Sequence, residues 1–363
     1  MPRRMGIDGW LFFTTGILVL AGLVMVGSAS YYVAMSQGLH PYHYLVRHIV
    51  HLVVGAALLV AMLSFPYRRL AERSMAITLV CATLVALIVV LAMPAVGGAH
   101  RWFQLGPLNL QPSEFAKLAS VVFMASLLSR REDEVNDLWS VPMPCLGAVG
   151  MLAFLIAIEP DLGSAVMLAG TAFVMLFVAG LRWRYIGAAV ALGLAGVVVA
   201  VLAEPYRLQR MRSFFDPTDD NLGAGFQLTQ SLIALGSGGL TGVGLGQGLQ
   251  KAYFLPAPHT DFIFSVIGEE LGLVGTGVIL AAFLLLFWRG VRTATRAPDR
   301  FGFYLALGLT VLLVWQGLTH MGVCVGMMPT KGLPLPLISY GGSSLLATMA
   351  AMGLLLNVSQ HSN

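Results

Sequence analysis

Asp261 stands at the mouth of an apolar run that extends from Phe262 to Trp288, and two more acids, Glu269 and Glu270, lie inside that run. A carboxylate at the centre of a membrane helix costs about 2.5–3.5 kcal/mol on insertion scales, so these acids must be compensated or used. At 100° per residue, Asp261, Ser265, Gly268, Gly272 and Gly275 fall on one stripe of a helix. Small residues permit close helix packing, so the stripe is expected to face protein, with Asp261 at its outer end. Two roles fit Asp261 there: a cap on the first helical turn, or a carboxylate that takes a proton in a reaction. Glu269 and Glu270 cannot both share its face and are expected to be structural carboxylates inside a bundle.

Other residues suit an anionic ligand. In "LQPSEFAKLAS", Glu114 and Lys117 are three apart and can meet on one helix face. They fit either an ion pair that fixes packing or a lysine turned toward a cavity that receives an anion. Arg207, Arg210 and Arg212 alternate with Leu208, Met211, Phe214 and Phe215, as in a helix lying at a membrane surface. Such arginines suit anionic headgroups or a phosphate-bearing lipid. Arg101, Trp102 and Lys331 extend the same basic set. The glycine-rich stretch Gly236–Gly248 lacks a preceding strand, so it is not a dinucleotide fingerprint; its backbone N–H groups are candidates for phosphate contact.

The elements that carry these residues follow from composition. The 363 residues are 57% hydrophobic and 10% charged, with a mean hydropathy of +0.81 and a net charge of +4. Soluble domains carry roughly 25% charged residues, so the chain is expected to be an all-α, polytopic integral membrane protein. About ten transmembrane helices are predicted, near Leu11–Ala29, Ile49–Phe65, Met75–Met93, Phe115–Leu128, Met143–Ile158, Ser164–Leu181, Tyr185–Leu202, Phe262–Trp288, Phe303–Val325 and Ser343–Val358. The first reads as an uncleaved span, because its apolar run exceeds that of a secretory signal. The chain forms one membrane domain, 1–363, with a large extracytoplasmic loop, 204–260, between the seventh and eighth helices.

Arginines 3, 4, 68, 69, 73, 130, 131, 182, 184, 289, 292, 296 and 300 fall in one set of loops. The positive-inside rule makes that side cytoplasmic and puts both termini there. The two elaborate loops, "VGGAHRWFQLGPLNLQPSEFAK" and 204–260, then face outward, and function is expected at that face. Cys81, Cys145 and Cys324 are widely spaced and read as small core residues, with neither a disulfide framework nor a zinc site. No HExxH, GxSxG or Walker A pattern occurs. The residues alone thus point to an outward-facing enzyme or transporter that handles an anionic amphiphile.

Several long stretches carry a closer likeness: "GAHRWFQLGPLNLQPSEFAK", "EPDLGSA", "YRLQRMRSFFDP", "GFQLTQSLIALGSGGLTGVGLG", "LPAPHTDFIFSVIGEELG" and "KGLPLPLISYGGSS". In this order, over nearly the whole chain, they resemble the SEDS family (shape, elongation, division, sporulation), and its division branch more than its elongation branch. The family's usual "LPEAHTDF" stands here as "LPAPHTDF", with Ala257 and Pro258 at the changed positions. The resemblance implies a peptidoglycan glycosyltransferase that polymerises lipid II at the outer face of the bacterial cytoplasmic membrane, at the division septum. It further implies a class B penicillin-binding transpeptidase and other divisome membrane proteins as partners, and no nucleic acid. Asp261 matches the family's essential aspartate, and Trp102, Glu114 and Lys117 match other implicated positions. On this basis Asp261 is expected to be the base. Arg101, Trp102, Lys117, Arg210 and Lys331 are expected to bind substrate, with Glu114 orienting Lys117. A divalent cation, Mg²⁺ or Mn²⁺, would suit the pyrophosphate, although no cage of metal ligands is visible. A lipid II flippase and an elongation-type polymerase are the competing functions.

Overall fold

Among the described residues, each of the ten apolar runs of the sequence falls on a helix. The structure, a computed structural model, describes residues 6–95, 99–105, 108–216 and 223–362. Arg3, Arg4 and positions 217–222 lie outside the described residues. In chain order the elements are α1 (Gly9–Ser36), α2 (His43–Ser64), α3 (Arg73–Leu91), β1 (Phe103–Leu105), β2 (Leu108–Leu110), α4 (Pro112–Arg130), α5 (Pro142–Ile158), α6 (Leu162–Val178) and α7 (Trp183–Leu202). They continue with α8 (Pro205–Phe215), α9 (Ala224–Gly238), α10 (Gln250–Tyr253), α11 (Ile263–Thr295), α12 (Arg300–Cys324) and α13 (Gly342–Ser359). Seven helices, α1, α2, α3, α7, α11, α12 and α13, are long and apolar enough to cross a membrane; α5 and α6 are shorter, and α4 carries Glu114 and Lys117. The chain is a multi-pass membrane protein.

Burial separates centre from rim. Of the apolar stretch of α13, 94% is buried, against 6% for α7, so α13 runs through the middle and α7 faces outward. Cys145 and Cys324 are buried as expected, but Cys81 is exposed on the outer face of α3. The one departure from an all-α chain among the described residues is a short antiparallel hairpin, in which Phe103 pairs with Leu110 and Gln104 with Asn109. Alternation of apolar and polar residues on both sides of a Gly-Pro pair favours it. Ser343 Oγ ties the hairpin to α13 by donating to Asn109 O (2.7 Å) and accepting from Gln111 N (2.8 Å).

The arginine-bearing loops gather at one end. Arg289 Nε donates to Asp8 (3.0 Å), Arg68 Nε to Asp299 (2.9 Å), and Arg300 Nε lies 3.0 Å from Glu132. Asp8 N also reaches Ser359 Oγ at 3.3 Å, which puts both termini at that end.

The acids inside the eighth span are explained by a break in α11. Gly272 sits at φ 64°, ψ −159°, so the small-residue stripe predicted for a continuous helix does not form. The backbone groups that such a break frees cannot be left bare in a membrane. The segment after α9 satisfies them: Leu273 N donates to Gly239 O (2.9 Å), Val274 N to Leu240 O (3.1 Å), and Val243 N and Gly244 N to the carbonyls of Glu269 (3.0 Å) and Glu270 (3.1 Å). Glu269 Oε1 accepts from Leu249 N (2.7 Å) and Gln250 N (3.0 Å). Glu270 accepts from Ser28 Oγ (2.8 Å) and Gly246 N (3.0 Å), and its ion pair with Lys251 is fully buried. Both glutamates are therefore structural, each serving the returning chain.

Two expectations change as a result. The 204–260 segment is more than a connecting loop, because α9 packs beside the first half of α11. Ser231 Oγ lies 2.6 Å from Ser265 Oγ, and Gly238 abuts the carbonyl of Gly268 so closely that no Cβ would fit. The N–H groups of Val243, Gly244 and Gly246 in the glycine-rich stretch point to α11, where the broken helix needs donors, rather than to a phosphate.

Candidate active site

A cavity of about 400 Å³ opens at the end opposite the termini, where α5, α7 and α12 finish and α6, α11 and α13 begin. Its wall holds the basic side chains Arg101, Arg207, Arg210 and Lys331 and the carboxylates of Asp161 and Asp261. Trp102, Tyr206 and Tyr340 add aromatic surface.

Asp261 reaches the cavity because it does not cap α11. Its N–H donates to Ala257 O (3.2 Å) in a turn that ends one residue before the helix, and no side chain caps the first turn. Ala257, one of the two unusual residues of "LPAPHTDF", occupies the left-handed region at φ 50°, a conformation L-residues rarely take. The turn is held from the α12–α13 link: Ser339 Oγ donates to Thr260 O (2.7 Å), and Tyr340 N donates to His259 O (2.9 Å). Burial pushes the Asp261 carboxyl up to about 6, against the opposing pull of Arg210 first, then Thr260 and Arg101. A group with that value is mostly ionised at neutral pH yet basic enough to accept a proton.

The cations differ in how committed they are. Arg101 donates to Glu159 O (2.6 Å) and Pro160 O (2.5 Å), and Arg207 to Ala157 O (2.8 Å) and Ala200 O (3.0 Å). Both therefore close the carbonyl ends of helices while presenting charge to the cavity. Arg210, by contrast, is exposed, with its guanidinium 5.8 Å from the ring centre of Tyr206. Lys331 lies deeper, where burial lowers its pKa and Asp161 opposes the fall.

Of the site residues read from the sequence, Asp261, Arg101, Trp102, Arg210 and Lys331 come together. Glu114 and Lys117 meet, with Lys117 Nζ 2.9 Å from Glu114 Oε1, but they do so beneath the cavity rather than in its wall. Lys117 is only 2% exposed, and its ammonium also donates to Gln316 Oε1 (2.9 Å). The expected substrate contact of Lys117 finds no support in this geometry: its ammonium is paired inside the bundle, away from the cavity wall.

Sequence reasoning missed Asp161 and Gln111. Asp161 Oδ1 accepts from Ser164 N (3.0 Å) at the start of α6, and its Oδ2 accepts from Gln111 Nε2 (3.1 Å). The signal lay in "EPDLGS", an acid followed three residues later by a serine whose N–H it can cap. Glu159, next to it, is buried with neither carboxylate oxygen partnered among the described residues, and burial pushes it up to about 8. No periodicity flags such a residue, because its setting is made by chain segments distant in sequence.

Comparison with known proteins adds what geometry cannot. A family model for cell cycle proteins, FtsW/RodA/SpoVE, matches residues 9–363. The chain is 43% identical to a probable peptidoglycan glycosyltransferase FtsW of Geobacter metallireducens over 346 residues, 94% of this chain and 92% of that one. It superimposes with a TM-score of 0.79 on a chain from a peptidoglycan synthase complex that coordinates polymerization and crosslinking, at 35% identity and 98% of both chains. The Thermus thermophilus rod shape determining protein RodA gives a TM-score of 0.72, with 32% identity over 98% of this chain and 97% of that one.

Proposed function

The chain belongs to the FtsW/RodA/SpoVE family and is a peptidoglycan glycosyltransferase; from that premise, we propose that it polymerises lipid II for the septal wall in the basic cavity, with Asp261 as general base. The observation that carries this reading is the convergence of Asp261 with Arg210, Arg101 and Lys331 in one outward pocket.

The chemistry assigns each group a task. The 4-hydroxyl of one sugar attacks the anomeric carbon of another. Asp261 takes the hydroxyl proton as the new C–O bond forms, and the bond to the lipid pyrophosphate breaks with its electron pair on the leaving oxygen. General-base assistance of this kind contributes typically about 10²–10⁴-fold. Arg210 and Lys331 face the charge that develops on the pyrophosphate, and Arg101 adds to the field from a fixed position. Trp102 and Tyr340 offer apolar faces to the sugar rings.

The residues present do not fit a protein-held divalent cation. Both oxygens of Asp161 already accept hydrogen bonds, and no group of three metal-ligating side chains occurs among the described residues. Any Mg²⁺ or Mn²⁺ would arrive as the counter-ion of the pyrophosphate.

The basic end is cytoplasmic on the positive-inside rule, which puts both termini inside and the cavity at the outer face of the bacterial inner membrane. A class B penicillin-binding transpeptidase is the partner that would crosslink the product, and other divisome membrane proteins join them at the septum. The test is polymer formation from labelled lipid II in detergent by the wild type and Asp261→Asn. Asparagine keeps the size but cannot take the proton at neutral pH. A loss of at least about 100-fold is expected. Near-normal polymer from the folded variant removes Asp261 from the reaction, and no polymer from either protein points to a flippase.

A further inference from the structure

Gln316, on α12, is 2% exposed and bonds in two directions. Its Oε1 accepts from Lys117 Nζ (2.9 Å) and its Nε2 donates to Pro334 O (3.0 Å). An ammonium only donates and a carbonyl only accepts, so a single amide orientation satisfies both partners. One turn further along the same helix face, His320 Nδ1 lies 2.7 Å from Leu333 O and must be its protonated nitrogen. Two side chains of α12 therefore grip the consecutive carbonyls of residues 333 and 334.

Those carbonyls belong to the link that builds the wall around Asp261. Lys331 and Pro334 line the cavity, and a Cβ on Gly332 would stand 3.3 Å from Asp261 Oδ2. Beyond Pro334, Leu335 N donates to Ser339 Oγ (2.8 Å), which in turn donates to the Thr260 carbonyl just before Asp261. A continuous path thus runs from the buried Glu114–Lys117 pair through Gln316 and the link to the backbone of the base.

We propose that Gln316 is a positioning residue for the glycosyl transfer: it anchors the 333–340 link on the Glu114–Lys117 pair and so fixes Asp261 and Lys331 relative to each other. This also gives the buried pair a purpose, because a neutralised ammonium inside the bundle is a rigid donor from which a cavity wall can be hung. The inference rests on Asp261 being the base.

The test uses the full-length chain with its transpeptidase partner and labelled lipid II, comparing Gln316→Glu, Gln316→Met and Asp261→Asn with the wild type. Glutamate keeps the acceptor for Lys117 and loses the donor to Pro334; methionine keeps the volume and loses both. The expected result is a fall of about tenfold or more in kcat for both Gln316 variants, KM for lipid II within about threefold, and a displaced acid limb in the pH profile of kcat. Unchanged kcat in a folded variant overturns the proposal, as does a loss of kcat that leaves the acid limb in place. If neither variant folds, Gln316 is a core residue and the proposal is also lost. An active Asp261→Asn overturns the base assignment itself. An inactive Asp261→Asn beside normal Gln316 variants overturns this inference alone.

Discussion

Gly332 lies against the carboxylate of Asp261, so that a Cβ added to the glycine would stand 3.3 Å from Oδ2 and 3.8 Å from Cγ. The contact joins two segments separated by 71 positions and leaves the carboxylate little room on that side. Gly332 has an ordinary backbone conformation, so its value here lies in space rather than in φ. Gly332→Ala should fold normally while pressing on Asp261. A displacement of a few tenths of an ångström is expected to lower kcat several-fold with little change in thermal stability. Polymerisation at the wild-type rate would show that Asp261 has slack.

The pH dependence has a definite sign. Asp261 works as a base only when ionised, and burial raises its pKa to about 6. The rate should therefore be low below pH 5, rise through about 6 and level off above 7. Arg210 is the leading influence that holds this value down, so Arg210→Gln should move the acid limb toward higher pH. An acid limb near 4, in wild type and variant alike, would mean that a solvated carboxylate controls the rate.

Arg210 and Arg212 offer a comparison within one helix. Both are exposed on α8, but only Arg210 lines the cavity. If the arginines served simply to attract anionic headgroups, alanine at either position would have the same effect. Recognition of the pyrophosphate instead predicts that Arg210→Ala lowers kcat/KM for lipid II by about tenfold or more, while Arg212→Ala stays within about twofold. Steady-state kinetics on the two variants in one lipid composition decides between them.

For Glu114 and Lys117 the prediction concerns stability. Removing one member of a buried pair strands the other, at about 3–5 kcal/mol, whereas replacing both with apolar residues costs far less. Glu114→Leu and Lys117→Met should each lower the melting temperature markedly, and the double variant should recover part of the loss. Additive losses in a double-mutant cycle would reject the coupling. Activity need not return with stability, because the double variant also removes the donor to Gln316.

The sequence by itself determined the approximate limits of the helices that carry its ten apolar runs. Span length and apolar composition depend on the bilayer and not on which helix packs against which. The alternation of arginine-rich and arginine-poor loops likewise pointed to the end opposite the termini, where the cavity lies. Asp261, Arg210, Arg101 and Lys331 were legible as candidates because charge among otherwise neutral loops stands out against composition.

What a charged residue does inside the bundle was decided only by tertiary structure. Lys117 and Lys331 look alike in sequence, as single lysines beside apolar runs, yet one is paired with Glu114 and bonded to Gln316 and the other lines the cavity. Glu269 and Glu270 read as structural carboxylates in the sequence, but only the break at Gly272 shows their donors, which come from residues about 20 positions away. Helical periodicity assumes an unbroken helix, and a glycine that leaves the helix cannot be told in sequence from one that stays in it. The partners that make a buried charge structural or reactive come from remote segments, so the fold had to bring them together before their roles could be read.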